Sequence, residues 1–145
     1  MEDINAPTTG GGPSPLQGNY SVLLDGPEPG LETSAAIGQT GTIPSDAETL
    51  TFFASLFGAV QVTFNGQNLP YNAIGSGVNY TIYGASIGSY AGQTGQLLFT
   101  SPANTTALFD NIQFSTTAIP EPGVLNLSSL CVLVLCWRMN GPKAA

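Results

Sequence analysis

The sequence predicts an all-β body, a β-sandwich or jelly roll, followed by a hydrophobic C-terminal helix. Three observations point to it. Strand-like runs recur at short intervals, each bounded by turn residues. No window between residues 19 and 118 sustains an apolar repeat at helical spacing. Gly 18 and Pro 11, with charged residues at only 8% of the 145, suit a turn-rich chain whose 42% apolar content supplies one core.

The first part, residues 1–18, reads as a flexible lead-in, because Thr8 to Pro15 offers little to bury and carries prolines that break strand ladders. The β domain is expected over residues 19–118. Its strand signals fall at Tyr20 to Leu24, Ala35 to Ile43, Thr49 to Ala54, Val60 to Phe64, Val78 to Tyr83, Gln96 to Thr100 and Leu108 to Phe114. In the fourth run Val60, Val62 and Phe64 share one face while Gln61 and Thr63 share the other, the period of two that a half-buried strand requires. Asn65-Gly66 directly after it predicts a hairpin into Gln67 to Tyr71, since both residues tolerate the positive φ of a type I′ turn. Ala85 to Ala91 fits a single helical turn. In the last run Leu108, Ile112 and Phe114 are expected to point inward together, which places Asp110 on the same face.

Charge divides the chain. Residues 1 to 119 hold eight acids, Glu2, Asp3, Asp25, Glu28, Glu32, Asp46, Glu48 and Asp110, and no Lys or Arg. A body formally at −8 does not bind a phosphate backbone, so no nucleic-acid partner is expected. With no His anywhere and no Cys, Lys or Arg in the body, Ser-His-Asp, zinc and Schiff-base chemistries have no residues to use. The expectation is a non-enzymatic body without a cofactor or a resident metal. Paired carboxylates at Asp25/Glu28 or Asp46/Glu48 are the remaining acid candidates, and they read first as solvated turn residues. Calcium at Asp25 or Asp110 is the best-founded metal alternative, because hard cations take carboxylate oxygens. Tyr71, Tyr80, Tyr83, Tyr90, Asn68 and Asn72 are candidates for a sugar platform, against the plainer reading of tyrosines at the edge of a core.

The composition changes after Phe114. A polar spacer, Ser115 to Ala118, leads into Ile119-Pro120-Glu121-Pro122-Gly123, where two prolines force extended backbone and remove two amide donors. Val124 to Trp137 follows, fourteen residues without a charge, and then Arg138 and Lys143. As a helix this stretch is about 21 Å long, against about 30 Å of hydrocarbon. On length alone it fits a buried helix or a pair of strands. Interfacial Trp137 and the basic residues after it favour a membrane segment with the C-terminus on the cytoplasmic side. Both cysteines, Cys131 and Cys136, lie in this stretch and read as small apolar residues.

The order Pro-Glu-Pro, apolar stretch and basic end, over residues 119–145, resembles the PEP-CTERM sorting signal of Gram-negative, exopolysaccharide-producing bacteria. The resemblance implies that the tail is the substrate of an exosortase, a membrane transpeptidase. Pro120, Glu121 and Pro122 would be its recognition motif, and Arg138 and Lys143 the basic end that stops transfer across the membrane. It also implies an exported protein, anchored in the inner membrane before processing and then placed at the cell surface or in the extracellular matrix, with exopolysaccharide or another glycan as a candidate partner. Met1 to Pro15 shows no secretory signal, so the expectation is a chain truncated at its N-terminus. The body is similar to galactose-binding-like modules in strand count and turn-rich character. The alternative is therefore a carbohydrate-binding module of a larger secreted enzyme.

Overall fold

The computed structural model describes residues 13–26 and 34–119. They form an all-β body of nine strands: β1 Val22–Asp25, β2 Ala35–Thr42, β3 Thr49–Phe57, β4 Gln61–Phe64, β5 Gln67–Asn68, β6 Tyr71–Ser76, β7 Thr81–Ser86, β8 Thr94–Ser101 and β9 Thr106–Ser115. A single 3-10 turn, Gly88–Tyr90, lies within the span Ala85 to Ala91 where one helical turn is expected. Every strand pair is antiparallel. One sheet runs β1-β9-β3-β7-β6 and the other β2-β8-β4-β5.

The two sheets share one apolar core. Leu50, Phe52 and Ala54 of β3 face inward from the five-stranded sheet, and Val62 and Phe64 of β4 with Phe99 of β8 face them from the other. Phe52 sits at the centre, its ring centroid 5.2 Å from Phe99, 5.4 Å from Tyr71, 5.5 Å from Tyr83 and 5.9 Å from Phe109. These are edge-to-face and offset distances at which ring quadrupoles attract. The inward set Val60, Val62 and Phe64 is buried as its alternation predicts.

Asn65 and Gly66 adopt φ of 48° and 76° and close the expected turn. The Asn65 carboxamide also accepts the Gln96 amide at 3.0 Å, fastening the turn to β8. The return strand is shorter than expected. Gln67 and Asn68 pair with β4 and the Leu69 amide still donates to the Val62 carbonyl at 2.8 Å, but Pro70 lacks the amide donor a ladder needs, and the chain then crosses to the other sheet as β6. Val78, expected at the start of a strand, is instead fully exposed in the β6–β7 turn, which the Gly77 amide closes by donating to Tyr80 at 2.9 Å. The strand begins at Thr81, so that Tyr83 and Ala85 can join the core.

The inward set expected on the last strand needs a larger correction. Leu108 does not share a face with Ile112 and Phe114. Phe109, with 1% of its surface exposed, occupies the core. A β-bulge then sets Asn111 and Ile112 together opposite Phe52 of β3, with Asn111 at φ 48°. The extra residue reverses the alternation. Leu108 and Asp110 therefore lie on the outer face of the five-stranded sheet, and Ile112 and Phe114 turn toward the inter-sheet side.

Candidate functional site

The chain enters and leaves the described body across the outer face of the five-stranded sheet. At the entrance Leu16 is buried, so residues 13–18 of the expected lead-in include a docked segment. Asp110 holds it there. One oxygen of its carboxylate accepts the Gln17 amide at 3.2 Å and the Ser21 hydroxyl at 3.1 Å, and the other accepts the Asn111 amide at 2.7 Å. Asp110 thus ties the lead-in to the bulge. Asp110→Ala is expected to cost about 2 kcal/mol of entrance-segment stability, the scale of hydrogen bonds to a charged group. Faster hydrogen exchange at Leu16 and Gln17, with the core amides unchanged, checks it.

At the exit, β9 ends at Ser115, whose carbonyl accepts the Glu48 amide at 2.9 Å. Thr49 is 1% exposed, and its hydroxyl donates to the Thr117 carbonyl at 2.8 Å. The Thr117 amide returns to the Ser115 hydroxyl at 3.1 Å. Ile119 then lies over Gly84 of β7 beside Ile74. A Cβ on Gly84 would stand 2.9 Å from the Ile119 side chain and 3.0 Å from that of Ile74. Residues 115–119 are therefore fastened to the body up to the last residue before the proline-flanked glutamate. Pro120, Glu121, Pro122, Arg138 and Lys143, the stretch Val124 to Trp137 and Glu28 lie outside the described residues. Among the described residues no helix is long and apolar enough to cross a membrane.

A second feature lies between the sheets. β1 pairs only with Thr106 to Phe109, so the rest of β9 has β3 on one side and no strand on the other among the described residues. Across from it runs β2, the edge of the four-stranded sheet. The result is an open cleft of about 210 Å³ between Ile37, Gln39, Leu97 and Ile112. It continues beneath Phe114 and Phe64. Ile37, Ile112 and Phe114 are each 37–40% exposed there. At its far end Tyr20, 79% exposed, borders a hollow with Asp110, Asn111 and Ile112.

The tyrosines that are candidates for a sugar platform do not form one exposed surface, although Tyr71 and Tyr83 meet edge to face at 5.3 Å. Tyr71 and Tyr83 pack against Phe52, Tyr90 packs against Phe64, and Tyr80 stacks on Phe53 at 4.6 Å on the outer face. Tyr20, which sits between strand and lead-in and so gives no platform signal in the sequence, is the more accessible ring. The Tyr71 hydroxyl donates to the Val60 carbonyl at 2.9 Å. Burial, and then the neighbouring Tyr83, raise its pKa above the ordinary 10.0. A raised folded-state value favours the neutral phenol. Its contribution is complete below the unfolded pKa of about 10 and is lost as pH climbs through the folded value. Tyr71→Phe is therefore expected to flatten the alkaline decline in denaturant midpoint.

The acids are also apart. Asp25 accepts the Thr106 hydroxyl at 2.8 Å, Glu48 lies against Gly88, and Asp110 is committed to the entrance. Among the described residues no three His, Cys, Asp or Glu side chains gather in a group able to hold a metal ion. No family model, curated protein or solved structure matches the chain.

Proposed function

We propose that the chain is an exported cell-envelope or extracellular-matrix protein, sorted through its C-terminal PEP-CTERM-like tail by an exosortase-type membrane transpeptidase, with a non-enzymatic body. The single observation behind this reading is the order of parts after Ile119. A rigid proline-flanked glutamate is followed by an uncharged apolar stretch and then by the only two basic residues of the chain. The inventory of the body agrees with it, because an acidic domain with no His, Cys, Lys or Arg has few groups for chemistry of its own.

In this reading Pro120, Glu121 and Pro122 are gripped by the enzyme, Val124 to Trp137 forms a membrane-associated helix, and Arg138 and Lys143 hold the end on the cytoplasmic side. The two facing sheets are the halves of a galactose-binding-like sandwich. Intact mass of the protein recovered from the surface of its native host tests the reading. The expected C-terminus falls between residues 119 and 124. A surface form that retains residues 124–145 contradicts it.

A second reading, a carbohydrate-binding module, is favoured by the hollow at Tyr20. An exposed ring beside a carboxylate and an amide offers the stacking surface and hydrogen-bond partners a sugar needs. Binding of glycans on an array, lost in Tyr20→Ala, supports it. An array with no bound glycan dismisses it.

A further inference from the structure

We propose that the body restrains the processing of its own tail: the fastening of residues 115–119 to the outer face of the five-stranded sheet keeps the chain ahead of Pro120 out of the processing enzyme until that segment peels away. This rests on the sorting reading above and adds its regulation.

Enzymes that cut or transfer peptides commonly bind extended chain, using its backbone hydrogen-bonding groups. Here the Ser115 and Thr117 carbonyls and the Thr117 amide are already engaged. The Ser115 carbonyl takes the Glu48 amide and the Thr117 carbonyl takes the Thr49 hydroxyl. Thr49 is one of only two buried polar residues among those described, and Thr117 is the partner its hydroxyl finds. Gly84 leaves room on the sheet for Ile119, since any side chain there would press on both Ile119 and Ile74. Pro120 biases Ile119 toward extended backbone and away from the α region, so little slack separates the fastened segment from the motif. Thr116, Thr117 and Ala118 of the segment are exposed. The segment can open without unfolding the core, and cutting then follows the population of the opened form.

Thr49 and Gly84 are therefore positioning residues for the processing step. In the full-length protein in its native host, Thr49→Val removes the hydroxyl and keeps the shape, and it is expected to speed processing about fivefold, the population shift from one lost hydrogen bond. Gly84→Val, which fills the seat of Ile119, is expected to act in the same direction. In the purified full chain, hydrogen exchange at the Glu48 and Thr117 amides, which bond to Ser115, should quicken by a similar factor. The thermal midpoint of the body separates this local effect from general loosening. Should either variant fold poorly, Ile119→Ser releases the seat from outside the core and gives the same exchange readout.

Glu121→Ala serves as the reference. If it abolishes processing while the well-folded Thr49→Val and Gly84→Val proteins are cut at the wild-type rate or slower, the restraint is overturned and the sorting reading stands. If Glu121→Ala changes nothing, the sorting reading fails and the restraint fails with it.

Discussion

Replacing Phe52 with alanine is expected to destabilise the body by about 3–5 kcal/mol, the range for truncating a buried aromatic. Phe52 is fully buried and meets rings from both sheets: Tyr71 and Tyr83 along its own sheet, Phe109 on β9 and Phe99 across the core. No small rearrangement refills that space, because the bulge opposite Phe52 fixes where β9 can stand. A domain of this size holds about 5–15 kcal/mol in total, so the variant should be largely unfolded at moderate temperature. Phe57, at the end of the same strand and 69% exposed, makes the control. Phe57→Ala should stay within about 0.5 kcal/mol of wild type. Denaturant unfolding of the two proteins checks both values, and equal midpoints would contradict a core centred on Phe52.

The all-β class was legible because its signals are local. Period-two alternation in Val60 to Phe64 and the Asn65-Gly66 dipeptide act over a few residues, and both appear in the structure where the pattern places them. The error on β9 has a physical origin. Leu108-Phe109-Asp110-Asn111-Ile112 reads equally well with Leu108 or Phe109 inward, and only the bulge decides. A bulge is set by the facing strand, which the sequence around Asp110 does not contain. Asn111 was the available clue, since asparagine tolerates positive φ better than most residues.

The same limit hid the exit segment. Ser115 to Ala118 reads as a polar spacer. Its attachment depends on Thr49 and Gly84, which lie 68 residues from Thr117 and 35 residues from Ile119. The cleft beside β2 was likewise unseen, because it arises from β1 pairing only with Thr106 to Phe109 and leaving Asp110 to Ser115 of β9 uncovered. The tail is the reverse case. Its order of parts is explicit in the sequence, and it lies outside the described residues.

Glu121 carries the second large effect. Between two prolines its backbone has no amide donor on the residue before or after, so on the proposed sorting reading recognition of the motif would fall on the carboxylate and on the extended shape that prolines favour. Loss of a charged group at a recognition centre that leaves its partner unpaired commonly costs several kcal/mol, which corresponds to a rate loss of a hundredfold or more. The substitution lies beyond the fastened residues and should leave the unfolding of the body unchanged.

The most direct measurement is the fate of full-length Glu121→Ala protein in its native host, followed by intact mass and by fractionation of membrane and surface. The account predicts that cutting stops and that the chain accumulates in the inner membrane with residues 124–145 still attached. Cutting at the wild-type position and rate, with the body reaching the same place, would contradict it.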